Sequence, residues 1–208
     1  MKIFFIILGI LLGLFLIFQT YTTMSISKTE SQPYTLIKTE SNFEIRYYPA
    51  AIMATLSSSS TSYREIGRFG FGKLANYIFG GNQAKKQIPM TSPVRMEIKQ
   101  PYSTMTFVLP SNYQLNDAPM PLDSHIKITT SSPEYIAAIR FGGFASNETI
   151  TKNIEILANA LREKGLSFHG NFQFLGYNPP YQLIGRRNEV IVALNESAAL
   201  SYKTETSK

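Results

Sequence analysis

Seven consecutive residues, Gly67-Arg68-Phe69-Gly70-Phe71-Gly72-Lys73, satisfy the spacing G-x-x-x-x-G-K. In a nucleotide loop those glycines open backbone N–H groups toward a phosphate and the lysine neutralises it. That chemistry needs a hydrophobic strand running straight into the glycines and a Ser or Thr after the lysine for magnesium. Here six Ser/Thr residues and Tyr63 precede the motif and Leu74 follows Lys73, so the nucleotide context is missing. Other reactive groups are few. The two histidines, His125 and His169, have no partner at metal-ligand spacing, and the chain has no cysteine. Thiolate metal sites, cysteine nucleophiles and disulfides are thereby excluded, and no structural metal is expected. No G-x-S-x-G, H-E-x-x-H or paired-carboxylate motif is present, so nothing points to a catalytic residue.

The elements around the motif give it another use. Strands are expected at Tyr34 to Thr39 and Glu44 to Leu56, and Ser57 to Ser62 then breaks the pattern. From Tyr63, apolar residues at 63, 66, 71, 74, 77 and 78 fall on one arc of a helical wheel, predicting an amphipathic helix that ends at Gly80-Gly81. The motif lies inside this helix. Gly67, Gly70 and Phe71 fall on the buried arc, where a glycine lets helix and sheet approach closely. Gly72 faces outward on a stripe with Arg68, Ala75 and Phe79, flanked by Phe69 and Lys73. Small residues, aromatics and edge cations together make a flat shelf for a planar, anionic ligand. The alternative is that Phe69 and Phe79 tuck under a neighbouring loop.

The later pattern is similar: strands at Gln87 to Ile98 and Ser103 to Leu109, then His125 to Thr130 and Glu134 to Phe141. A second helix is predicted over Asn147 to Lys164, with Asn147 as N-cap and Gly165 as C-cap. Strands at Asn171 to Tyr177 and Glu189 to Leu194 follow, before a polar, frayed tail over 195–208. Ala50-Ala51-Ile52 recurs as Ala137-Ala138-Ile139, and Pro93 as Pro180, both at an offset of 87, which indicates a duplication. One helix and about four strands per half predict an α+β domain, two sheet halves curled into a distorted barrel with a helix against each.

Ile3 to Phe18 is an unbroken apolar run, with Lys2 the only charged side chain before it. At 1.5 Å per residue it spans roughly 24 Å, slightly less than a hydrocarbon core of about 30 Å. It reads as a membrane anchor or a signal over residues 1–21. No small-x-small cleavage site follows, which favours an uncleaved anchor. The charge bias places its N-terminus in the cytoplasm and the domain on the non-cytoplasmic, periplasmic or extracellular, side. Residues 22–33 are a linker and 34–194 the folded domain. The net charge is +6, carried by scattered residues, so a nucleic-acid stripe is not expected.

Six ordered motifs then stand out: Glu44-Ile45-Arg46-Tyr47-Tyr48-Pro49-Ala50, FGKLANYI with GGN (Phe71 to Asn82), PMTSPV (Pro89 to Val94), FGGF (Phe141 to Phe144), GYNPP (Gly176 to Pro180) and RRNEV (Arg186 to Val190). Together they resemble the SOUL family of haem-binding proteins from Tyr34 to about Leu194. The resemblance implies a distorted eight-stranded β-barrel of two βαββ-type repeats with two helices. It also implies non-enzymatic, non-covalent binding of haem or another tetrapyrrole in a shallow hydrophobic groove beside the first helix of the domain. Arg68 corresponds to a family arginine proposed near the haem, with Phe71 and Lys73 in the same segment. Tyr47 stands where some members have a histidine proposed as axial ligand. A phenolate can ligate ferric haem, but loose binding without a strong axial bond is expected here. The same barrel also resembles GyrI-like small-molecule-binding or hydrolysing domains, which would use a pocket between the repeats with Glu97 or Glu189. A third reading is a scaffold that docks a protein partner.

Overall fold

The computed structural model describes residues 1–99 and 101–205. Helix α1 (Lys2–Ser27) is followed by β1 (Thr35–Thr39), β2 (Glu44–Tyr48) and β3 (Ile52–Ser58). Helix α2 (Tyr63–Ile78) then leads to β4 (Val94–Glu97), β5 (Ser103–Val108), β6 (Ile126–Thr130) and β7 (Glu134–Phe141). Helix α3 (Asn147–Glu163), β8 (Phe168–Gly176), β9 (Asn188–Leu194) and α4 (Glu196–Glu205) complete the order. The predicted α+β class and both domain helices are borne out, with nine strands where eight were expected. The stretch read as one strand from Glu44 to Leu56 is two, because Pro49 has no N–H for a ladder and the chain turns over Pro49 to Ala51. The linker is helical as far as Ser27, and the tail expected to fray carries α4, whose Ala199 is fully buried.

All nine strands form one antiparallel sheet in the order β1-β2-β7-β9-β8-β4-β5-β3-β6. Leaving β1 aside, the order is the same from either end: β2-β7-β9-β8 mirrors β6-β3-β5-β4 about the ladder in which Val94 pairs with Gly176. The two runs β3-α2-β4-β5 and β7-α3-β8-β9 are the repeats, and each sheet half takes one strand from just before the other run. The duplication is therefore real in topology. The tripeptides that pointed to it are not at equivalent places, since Ile52 opens β3 while Ile139 lies near the end of β7.

One apolar core joins both domain helices to one face of the sheet. It includes Ile66, Leu74, Tyr77 and Ile78 of α2, Leu157 and Leu161 of α3, and Ala54, Leu56, Met105, Phe107, Val190 and Val192 of the strands. Helix α2 lies against β3 and β5, and α3 against β7, β8 and β9. Ser62 caps α2 by accepting from Glu65 N–H at 3.3 Å. At the other end Gly80, with φ +109°, lets Gly81 N–H return to Asn76 O at 2.8 Å. Asn82, fully buried, donates to Tyr77 O and Lys86 O and accepts from Lys86 N–H, which fixes the chain leaving the helix.

Helix α3 begins differently from expectation. Its N-cap is Ser146, in a capping box with Thr149, while Asn147 Oδ1 accepts from Tyr63 N–H at 2.9 Å. Asn147 thus satisfies a free donor at the start of α2 and ties the two helix N-termini together. Gly165, at φ +66°, follows the C-cap Lys164 as predicted.

Candidate functional site

Helix α2 turns Ile66, Gly70, Leu74, Tyr77 and Ile78 into the core and leaves Arg68, Phe69, Gly72 and Phe79 exposed. The two glycines named as inward differ. A Cβ on Gly70 would lie 3.2 Å from Met105 Cβ, so the helix rests on β5 there; at Gly67 nothing lies within 4 Å. Only Gly70 is a packing device. Phe71 is not on the buried arc either. It is 40% exposed, its ring set edge-on to Phe107 at 5.4 Å, and so it belongs to the rim of the outward surface. The buried arc of α2 is the one that faces β5 and β3, and Phe71 lies at its margin, touching the sheet through Phe107.

The outward surface is an apolar shelf with cations. Phe69 and Phe79 are 51% and 63% exposed, so they do not tuck under a loop; Gly72 has open space above it and Ala75 is half-buried. Lys73 is engaged. Its Nζ lies 2.7 Å from Asp123 Oδ2 and 4.9 Å from the centre of the Phe69 ring. Asp123 in turn accepts from His125 N–H at 2.9 Å and pairs with its ring Nδ1 at 2.7 Å. The Lys73 hydrogen bond, then those from the His125 backbone and ring, hold the Asp123 carboxyl well below the usual carboxylate range. Arg68 makes no ion pair among the described residues. Nor does Arg64, one turn earlier on the same stripe and also exposed. Arg64 went unnoticed in the sequence, although the four-residue spacing from Arg68 was its signal.

Tyr47 does not join the shelf. It packs tilted against Tyr135 across the β2–β7 ladder, ring centres 5.0 Å apart, and lines a cleft of about 490 Å³ with Pro133, Glu134, Tyr135, His169, Leu194 and Glu196. No residue of α2 lines this cleft. His169, distant in sequence, is brought beside Tyr47 by the β9 ladder and bonds to Asn195 Oδ1 through Nδ1 at 2.9 Å. Among the described residues no cluster of three or more His, Cys, Asp or Glu could hold a metal ion.

The opposite face of the sheet carries a buried polar network. Glu189, with no solvent exposure, accepts from Arg46 at 2.7 and 3.0 Å, from Arg187 at 2.7 and 3.0 Å and from Tyr177 Oη at 2.9 Å. Burial pushes the Glu189 carboxyl up, and the hydrogen bonds and charges of Arg46 and Arg187 outweigh it and hold the group below its ordinary value. Burial and then the Glu189 charge push the Tyr177 hydroxyl far upward. Glu189 is therefore saturated and offers no free carboxylate to a cationic ligand. Glu97 lines a crevice of only about 70 Å³ and is held by Lys99 and Asn171. The Glu97 crevice is smaller than the about 300–1,000 Å³ of small-molecule sites, and Glu189 lines neither that crevice nor the Tyr47 cleft.

Residues 29–193 match the family model described as SOUL heme-binding protein. Human heme-binding protein 2 is 33% identical over 164 residues, spanning 74% of this chain and 80% of its own. Heme-binding protein 1 of Xenopus laevis is 30% identical over 156 residues, 71% of this chain and 81% of its own. Among solved structures the fold is similar to the EcmrR C-terminal domain (TM-score 0.58, 6% identity, covering 74% of this chain and 96% of that one). It is also similar to a hydrolase from Listeria innocua (TM-score 0.54, 7% identity, 76% and 94%). At such identities the likeness concerns the fold alone.

Proposed function

The chain belongs to the SOUL heme-binding protein family, and from that premise we propose that it binds haem or a related tetrapyrrole on the α2 shelf, non-covalently and without catalysing a reaction. The observation that carries the site is Arg68: an exposed guanidinium with no ion pair among the described residues, on a face shared with exposed Phe69, Phe71 and Phe79. Apolar rings supply contact for a macrocycle, Gly72 and Ala75 let it lie flat, and Arg64 and Arg68 meet its carboxylates. Arg64 sits in the first turn of α2, where a cation opposes the helix dipole by about 0.3–1 kcal/mol. A ligand anion at that end relieves the opposition. The outward face of α2 from Arg64 to Phe79 carries no His, Cys, Met or Tyr, so affinity rests on contact and charge and lies in the micromolar range, about −8 kcal/mol.

The setting follows from α1, long and apolar enough to cross a membrane. On our reading it is an uncleaved anchor through residues 3–18, with the domain on the non-cytoplasmic side carrying, buffering or sensing haem there. The test is a haemin titration of the full chain in neutral detergent, with the Arg64→Ala/Arg68→Ala variant as control for haem partitioning into micelles. A saturable Soret shift that the variant weakens supports the site. Identical titrations of the two proteins would remove the shelf from consideration.

A further inference from the structure

The loop between β8 and β9 lies against α1 at Phe18 and Gln19, where the apolar run of the helix stops. Gln19, the first polar residue after the apolar run, donates through Nε2 to Tyr181 O at 3.1 Å and accepts at Oε1 from Leu183 N–H at 3.0 Å. The Phe18 and Tyr181 rings are 6.2 Å apart. The loop is thus held at the depth where the hydrocarbon-compatible segment stops. Three of its side chains, Tyr181, Leu183 and Ile184, point outward together with nearby Phe144, at 47 to 62% exposure. We propose that this loop is a second membrane contact, seated in the boundary between lipid headgroups and acyl chains beside the anchor.

Length favours this occupant. The apolar run spans roughly 24 Å against about 30 Å of hydrocarbon, so a spanning helix is drawn inward by about one further turn. That turn is Gln19 to Thr22, and its amide and threonine hydroxyls are already satisfied. Both ends of the Gln19 amide are bonded to the loop, and the hydroxyls of Thr20 and Thr22 return to Leu16 O and Gln19 O. Polar groups satisfied internally remove most of the cost of entering a lipid boundary. Because the loop is bonded to Gln19, it moves inward with it.

The loop is also built for a low-dielectric surface. Arg186 donates to the carbonyls of Pro179 and Gln182 at 2.7 Å each, and Gln182, buried, donates to Ile184 O at 2.9 Å. Asn178 Oδ1 accepts from Arg187 N–H at 2.6 Å. Polar side chains turned inward hold the loop's own backbone while apolar ones splay outward, the arrangement of an interfacial element. The Arg186 guanidinium lies over Phe144 at 4.5 Å and so joins that ring to the same patch. Tyr21 and Tyr181 place aromatic rings at the level of the interface, where they are favoured.

The inference rests on α1 being a membrane anchor, and the experiment separates the two. The chain has no tryptophan, so single reporters are unambiguous. Leu11→Trp reports the anchor and Ile184→Trp the loop, each in the full chain in phosphatidylcholine vesicles with acyl chains brominated near the headgroup or at mid-depth. We expect Leu11→Trp to lose emission to the mid-depth bromines. Ile184→Trp is expected to lose emission to the shallow ones, with a blue-shifted maximum and little quenching by aqueous iodide. Leu11→Trp quenched while Ile184→Trp stays iodide-accessible and unaffected by bromines would overturn the loop contact and leave the anchor. Neither quenched overturns the anchor and the loop contact with it.

Discussion

Lys73 Nζ sits 2.7 Å from Asp123 Oδ2, so the lysine of the glycine-rich segment is an ion-paired group before any ligand arrives. Both side chains are about one-quarter exposed, which keeps the pair weak, worth at most about 1 kcal/mol. A haem carboxylate reaching Lys73 must compete with Asp123. Asp123→Asn should therefore tighten haemin binding by about two- to five-fold, measured by Soret titration at low salt, with the gain shrinking as salt is added. Unchanged affinity would mean that Lys73 stands outside the ligand's reach.

Arg68→Ala should weaken haemin binding by about three- to ten-fold, the scale of one charge-assisted contact at an exposed site, with little change in thermal stability. Arg68→Glu should weaken it further. If the alanine variant binds as tightly as the parent, the shelf is the wrong surface.

Gly70 and Gly72 differ by two positions and should respond to alanine with opposite signs. At Gly72 the added methyl meets open space, so the helix gains up to about 1 kcal/mol of stability while the shelf loses flatness and affinity. At Gly70 it meets Met105 Cβ at 3.2 Å and pushes α2 off β5, for a net loss of about 1 kcal/mol. Denaturant midpoints of the two variants decide the matter.

Tyr47 lies with His169 in a cleft apart from α2. Tyr47→Phe and His169→Ala should each leave the Soret maximum and the affinity as they are. A spectral change in either variant would move the haem from the shelf to that cleft and give it an axial ligand.

The Glu189 carboxyl, held below its ordinary value of 4.5, contributes stability that is present above that pH and is lost as pH falls through the lower folded-state value. Glu189→Gln removes that acid-dependent share. At pH 7 it leaves Arg46 and Arg187 without their shared anion, at a cost of about 3–5 kcal/mol. For a domain of this size that lowers Tm by roughly 10 °C, readable by circular dichroism. A neutral substitution would show that water takes over the carboxylate's place.

Much of the fold was legible in the chain because local patterns are enforced locally. Period-3.6 apolar spacing gave both domain helices to within a residue or two, and the motif order carried the family. Where the reading failed, a contact distant in sequence had decided. Asn147 has the chemistry of an N-cap and satisfies a helix-start donor, but that of α2, the Tyr63 N–H eighty-four positions away. Phe71 lay on the apolar arc of an isolated wheel and ended at the rim, because the arc a helix buries depends on the sheet beneath it.

By itself, then, the sequence determined the elements, the apolar N-terminal segment and the set of groups available: no thiol, and a helix bearing Arg68, Gly72 and Lys73 between aromatics. Those follow from composition and periodicity, which act over a few residues. Only the tertiary structure decided how the groups were used. It left Arg68 without an ion pair among the described residues, gave Lys73 to Asp123, set Tyr47 beside His169, and closed Glu189 between two arginines. Charge pairing depends on distance in space, and a chain's spacing does not encode which opposite charge the fold will bring within 3 Å.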